Sequence, residues 1–169
     1  MGVSNTRRCW NMFQLPESVE SACNVGCCGI DGCVSTLVGA SLVNPDRLCY
    51  VVVGDLTFFY DLNSLGNHHI GTNLRVMLVN NGRGTEFRLG IHHCNVFGDD
   101  ADKYMAAAGH FGNKSPLLVK HYAEDLGFHY LSATTKEEFM TALSNFTNPQ
   151  LSDCLLYTSP SPRDMRRSR

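Results

Sequence analysis

Two apolar rhythms alternate along the chain. Residues 48–54 (LCYVVVG) and 74–80 (LRVMLVN) are short, β-branched-rich runs ending in Gly or Asn, as strands buried on both faces of a parallel sheet do. Stretches with helical character surround them. Residues 31–42 are rich in small side chains and begin on Asp31, an N-cap candidate; 55–65 follow the first strand directly; 116–126 begin after Ser115, with Pro116 at the first helical position. A third strand at 128–132 leads through Thr134 or Thr135 into a helix at 136–146, with Glu137 and Glu138 in its first turn. This βαβ succession predicts an α/β fold, an open parallel sheet with helices on both faces. Residues 82–98 break the rhythm. A loop that long in a compact domain is usually functional, and this one starts where a strand ends, the edge at which open α/β sheets bind ligands.

With 169 residues, 43% of them hydrophobic and 18% charged, the chain suits a single core; disordered, collagen-like and coiled-coil architectures are excluded. The net charge of −2 is unevenly spread. Arg163, Arg166, Arg167 and Arg169 face only Asp164 in the last sixteen residues, whereas the preceding 153 carry ten basic and fifteen acidic side chains. An acidic body speaks against a nucleic-acid groove. Residues 154–164 (CLLYTSPSPRD) have neither helical nor strand period, and in-frame codons for them resemble a widely used transposase-type sequencing adapter. Residues 154–169 are therefore expected to be a disordered, adapter-derived tail and 1–153 the domain, with Met1 itself open to being internal to a longer gene. No apolar h-region follows Arg7 and Arg8, and no apolar run approaches the roughly 20 residues of a membrane span. A cytoplasmic location with reduced cysteines is expected, and no membrane partner.

The candidate chemistry lies at two strand ends. Gly54 and Asp55 close the first strand (GDLTFFYDLNSLGN, residues 54–67) and Asn80 and Asn81 close the next (VNNGRGTEF, residues 79–87). Asp55 and Asn81 are 26 positions apart, room for one helix and one strand, so both oxygen-bearing side chains can meet at one sheet edge. Hard oxygens in small number suit Mg²⁺ with phosphate and water completing its shell, and the helix starting near Thr57 would aim N–H groups at that phosphate.

This spacing resembles the signature of the thiamine diphosphate-dependent enzymes, Gly-Asp-Gly followed some two dozen residues later by Asn-Asn. Leu56 stands where the third residue is usually Gly, and Gly-Asp-Leu-Thr followed by Tyr60, Asp61, Leu62 and Asn63 is similar to one branch, the menaquinone-pathway synthases that join 2-oxoglutarate to isochorismate. A second stretch agrees: residues 24–40 (NVGCCGIDGCVSTLVGA) look like that branch's Asn-Arg-Gly-x-x-Gly-Ile-Asp-Gly-x-x-Ser-Thr segment. The resemblance runs from about residue 5 to 146 and covers the C-terminal, diphosphate-binding domain alone, short of its last strand. It implies thiamine diphosphate and Mg²⁺ as cofactors. The Mg²⁺ ligands would be Asp55, the side chain of Asn81 and the backbone carbonyl of Arg83, with Gly29, Ile30, Asp31, Gly54, Leu56 and Thr57 also at the cofactor and Ile30 as the wedge under thiamine. Asn5 and Thr6 with Arg7 or Arg8 match an upstream substrate contact at shorter spacing.

Two departures bear on the substrate. Val25 replaces an arginine that pairs with a substrate carboxylate, and Glu86 replaces an apolar residue over the thiazolium, where it could act as acid or base; Phe87 matches the Phe that follows. The resemblance implies decarboxylation of a 2-oxo acid and transfer of the acyl unit to an acceptor, with a glutamate supplied by the N-terminal pyrimidine-binding domain of a partner subunit in a homodimer or homotetramer. This chain alone is then expected to be inactive. A decarboxylase or acetolactate synthase-like enzyme on another 2-oxo acid, and an α/β binding module without catalysis, remain alternatives. Cys23, Cys27, Cys28 and Cys33 formally satisfy zinc spacing, but the two pairs abut with no segment to fold around a metal, so small, buried thiols are expected. Of His92 and His93, one could line the loop.

Overall fold

A computed structural model describes residues 1–105, 114–151 and 153–159. Seven short or medium elements precede the loop-rich middle and its small helix. They are α1 (Asn5–Trp10), α2 (Cys33–Val43), β1 (Cys49–Gly54), α3 (Asp55–Asp61), a 3₁₀ turn (Leu62–Gly66), β2 (Leu74–Val79) and a second 3₁₀ turn (Thr85–Arg88). A third 3₁₀ stretch (His93–Asp100) runs into α4 (Ala101–Tyr104), and α5 (Leu118–Asp125), β3 (His129–Ser132), α6 (Lys136–Phe146) and β4 (Leu155–Ser159) complete the chain. All strand pairs are parallel, in the order β1-β2-β4-β3.

Side-chain alternation along the strands makes two cores, as it must in a sheet covered on both faces. Val51, Val53, Leu74, Val76, Leu78 and Leu156 pack under Val34 and Val38 of α2, Phe58 of α3 and Val119 and Ala123 of α5. Leu155 and Tyr157 point the other way, against Ala142 and Phe146 of α6, with Met77 and Leu131 alongside. The α/β fold read from the periodicity is therefore present. The helix at 136–146 has the expected bounds because Thr135 and Glu138 form a reciprocal capping box.

Three local expectations change. Asp31 does not cap α2, which starts at Cys33. Its N-terminal amide at Ser35 is instead taken by Asp61 Oδ2 at 2.7 Å, with the Ser35 hydroxyl on the same oxygen at 3.0 Å, so the cap comes from α3 and not from the preceding loop. Helix α5 begins at Leu118, two residues after Pro116, because the Ser115 hydroxyl accepts from Leu117 N–H in a turn of its own. The largest correction concerns residues 154–159, expected to be disordered. Leu155–Ser159 form the strand between β2 and β3, and Leu155, Leu156 and Tyr157 are at most 1% exposed. The apolar pentapeptide LLYTS satisfies the backbone groups of both neighbours, which no adjacent segment in sequence can do. The rest of the expected tail, 160–169, lies outside the described residues. Among the described residues no helix is long and apolar enough to cross a membrane, and the eight cysteines are free thiols.

Candidate functional site

Parallel register pairs Gly54 with Val79, so the residues that follow each strand emerge side by side. The chain turns from extended backbone at Gly54 directly into α3, leaving Asp55 as the first helical residue, 2% exposed, with Oδ1 accepting from Leu56 N–H at 2.8 Å. Asp55 Oδ2 accepts from Gly82 N–H across the gap. Gly82 sits at φ +79°, where a side chain would strain the turn, so glycine is what lets that amide face the carboxylate.

The Asn81 amide lies between the Arg83 carbonyl oxygen and Asp55 Oδ2, at 2.8 and 3.2 Å, and its nitrogen donates to both. Turned over, the amide would present its oxygen there instead, at the roughly 3 Å spacing of neighbouring oxygens on an octahedral Mg²⁺ with 2.0–2.1 Å bonds. The residues at this strand end therefore offer oxygens of the right kind for one side of such a shell, and the amide hydrogen bonds satisfy the same positions otherwise. The neighbouring Asn80 Oδ1 is buried with no hydrogen-bond partner. Thr57, two residues into α3, is 5% exposed, and Leu56 is half-buried.

A second wall is built by α1, a helix that periodicity alone does not announce. Gly2 N–H donates to Val52 O at 2.8 Å, setting the start of the chain against β1. From there Arg8 grips Glu86 with both terminal nitrogens, at 2.7 and 2.8 Å; the Ser4 hydroxyl donates to the same carboxylate, and Asn5 Nδ2 reaches Thr85 Oγ1 at 3.3 Å. The Arg8 hydrogen bonds hold the Glu86 carboxyl down to about 2 against the opposing effect of partial burial; Ser4, the Arg8 charge and His92 act in the same direction. Glu86 is thus a fixed carboxylate near neutrality, with its oxygens engaged, and is not available as a general acid. Because its folded-state value lies below the usual 4.5, the pairing stabilises the fold above that ordinary value and is lost as pH falls toward 2. In a carboxylate NMR titration Glu86 is expected to stay ionised through pH 3.5; a midpoint near 4.5 would show the clamp to be absent in solution.

The remaining predicted residues form a third region. Asn24 Nδ2 donates to Asp31 O at 3.0 Å, and a Cβ on Gly29 would come within 2.9 Å of Asp31 Oδ1, so the Gly29 position accepts only glycine without a shift of that carboxylate. Ile30 is half-buried, whereas Val25 is exposed. Phe87 stands edge-on to His92, ring centres 5.2 Å apart, and His92 Nδ1 accepts from Cys94 N–H at 3.1 Å. The structure thus brings Asp55, Asn81 and Arg83 together, and it pairs Arg8 with Glu86, a contact the sequence does not predict. Ser4 and Gly82 were missed, although Gly82 sits within the Asn80-Asn81 run, where a glycine is a turn signal. Among the described residues no group of three or more His, Cys, Asp or Glu is placed to hold a metal; of the four clustered thiols only Cys33 is buried, while Cys27 and Cys28 are exposed, contrary to the buried set expected.

No family model matches the chain. Curated proteins do. Along 148 residues, 88% of this chain, it is 35% identical to the 2-succinyl-5-enolpyruvyl-6-hydroxy-3-cyclohexene-1-carboxylate synthase of Bacteroides fragilis. Proteins of the same name from Christiangramia forsetii and Flavobacterium psychrophilum are 36% identical over 145 residues and 32% over 162, covering 86% and 90% of the chain. In each case the match takes in only 24–28% of the longer protein. Motifs and matches agree: the chain is a relative of the 2-succinyl-5-enolpyruvyl-6-hydroxy-3-cyclohexene-1-carboxylate synthases, spanning about a quarter of their length.

Proposed function

We propose that this chain is the diphosphate- and Mg²⁺-holding part of a thiamine diphosphate-dependent enzyme that decarboxylates a 2-oxo acid and passes the acyl unit to an acceptor, as the relatives' name and the motifs suggest. The observation that carries this reading is the convergence of Asp55 Oδ2, the Asn81 amide and the Arg83 carbonyl where β1 and β2 end. When bound, thiamine diphosphate supplies the carbanion chemistry, and the protein supplies position and charge. Asp55, Asn81 and the Arg83 carbonyl would hold the cation, with Gly54, Leu56 and Thr57 beside the diphosphate and Gly29, Ile30 and Asp31 toward the thiamine. The orphaned Asn80 Oδ1 adds a further polar atom to the same strand end.

Residues 1–153 are, on this reading, the cofactor domain, and 154–169 an adapter-derived segment whose first residues occupy a strand position. The activating glutamate, the pyrimidine-binding domain and the oligomer belong to the longer protein. Calorimetry with thiamine diphosphate and Mg²⁺ is expected to give weak, Mg²⁺-dependent binding, and no steady carbon dioxide release from 2-oxoglutarate. Asp55→Ala should abolish the Mg²⁺-dependent part. Unchanged affinity in that variant would remove Asp55 as a ligand, and no saturable heat in the parent chain would favour a binding module of another kind.

A further inference from the structure

The turn after β2 contains the single Asn-Gly step of the chain, Asn81–Gly82. A residue with no side chain after asparagine leaves its amide nitrogen unhindered toward the asparagine Cγ, and Gly82, at φ +79°, adopts a backbone that other residues rarely take. Ring closure at such a step is held back by two things, the proton on the attacking nitrogen and the poor leaving ability of the amide nitrogen. The fold places one carboxylate oxygen against both. Asp55 Oδ2 accepts from Gly82 N–H, and the Asn81 amide nitrogen donates to the same oxygen at 3.2 Å. Leu56 N–H holds the other Asp55 oxygen at 2.8 Å, which fixes the orientation of the carboxylate. Asp55 itself is 2% exposed, whereas Asn81 and the residues that follow it are half-buried, so water reaches the turn.

We propose that Asn81 is a site of self-catalysed deamidation, with the Asp55 carboxylate as the base and then the acid of the step. Gly82 N forms a bond to Asn81 Cγ while its proton passes to Asp55 Oδ2. Asp55 then delivers that proton to Asn81 Nδ2, the Cγ–Nδ2 bond breaks, and ammonia leaves a five-membered imide behind. The carboxylate ends as it began. Water opens the imide at Cγ or at the main-chain carbonyl carbon, giving an aspartyl or isoaspartyl acid at position 81 with no change of oxidation state. The contacts that bring the attacking nitrogen, the leaving nitrogen and the proton carrier together are already made in the fold, so little ordering is left for the reaction itself. The neighbouring Asn80 lacks this arrangement: its Oδ1 is buried with no partner, and the residue after it carries a side chain. None of this requires a bound group, so the inference stands apart from the cofactor reading. Where that reading holds, the modification falls on a cation ligand and sets a second carboxylate beside Asp55.

The test ages the purified chain at neutral pH without cofactor or Mg²⁺ and follows the tryptic peptide 76–83 by mass spectrometry. Fragment ions separate Asn80 from Asn81 and isoaspartyl from aspartyl product. A parallel sample in guanidinium chloride gives the rate of the same Asn-Gly step without the fold. Asn81 in the folded chain is expected to convert about tenfold faster than in the denatured one, or more, a modest share of what a placed acid–base group can supply. Asp55→Asn, which keeps the shape and removes the base, should bring the folded rate down to the denatured rate or below it, while the denatured rate stays the same. Circular dichroism checks that this variant is folded; if it is not, the comparison of folded with denatured parent decides alone. The proposal fails if the folded parent converts no faster than the denatured chain, if a folded Asp55→Asn variant keeps the parent rate, or if the product forms at Asn80. Failure of the unaged chain to bind thiamine diphosphate, with the rapid conversion intact, would instead count against the cofactor reading alone.

Discussion

Truncation of this chain after Asp153 is expected to abolish cooperative unfolding. Strand β4 lies between β2 and β3, and its removal strips both of their parallel partner at once. Leu155, Leu156 and Tyr157 are at most 1% exposed and belong to the cores on both faces. Full burial of side chains of this kind is worth about 1.5–3 kcal/mol each, so three together approach the roughly 5–15 kcal/mol that holds a domain folded. The truncated chain should show a sloping urea profile and poorly dispersed amide signals. The point variant Leu156→Ala should keep the transition but lower stability by about 2–5 kcal/mol. A truncated chain with the parent's urea midpoint would show that β4 contributes nothing in solution.

Arg75→Met should cost about 1–3 kcal/mol, the usual penalty for leaving buried carbonyls without their donor. Arg75 is on β2 and 0% exposed. Its Nη1 donates to the carbonyls of Thr72, Leu74 and Asp153 at 2.6, 3.0 and 2.8 Å, and Nη2 to Leu151 at 3.1 Å. Two of those carbonyls lead into β4, so the guanidinium docks the approach to the central strand as well as the start of its neighbour. Methionine fills much of the volume but leaves the carbonyls without donors. Arg75→Lys should recover only part of the loss, because one ammonium cannot reach the 151–153 and 72–74 carbonyls with a planar fork's geometry. Urea denaturation with amide exchange at β4 reads both effects. A Met variant within 1 kcal/mol of the parent would mean that water replaces the guanidinium.

Periodicity made much of this fold legible. The runs at 48–54 and 74–80 carry the dense β-branched pattern of doubly buried strands, and both lie within a residue of where the structure has them. The Thr135–Glu138 box marked α6 because both halves of that cap are local in sequence. What failed was non-local. Helix α2 receives its cap from Asp61, 26 positions ahead of Ser35, and no local pattern announces such a donor. Strand β4 is five residues with no polar alternation, buried on both faces, next to Pro and Ser; on composition it is a linker, and only the vacancy between β2 and β3 makes it a strand. In the site, the Asp55–Asn81 pairing was legible because its spacing follows from one βαβ unit. The Arg8–Glu86 grip spans 78 positions and joins two segments outside that unit, so sequence offered the two residues without their contact.

The strand order has a consequence for how the sheet is assembled. Everything through α6 can be synthesised while β2 and β3 still stand one strand width apart, each showing a row of unpaired N–H and C=O groups flanked by residues such as Val76 and Leu78. Only residues 155–159 close that gap, through pairings with a segment about 80 positions upstream. Such late, long-range closure raises contact order and slows folding. Until it occurs, the open edge is a template for another chain's strand. Refolding yield should therefore fall as protein concentration rises, and a short peptide spelling LLYTS, added in excess, should compete for the gap before the chain's own strand arrives.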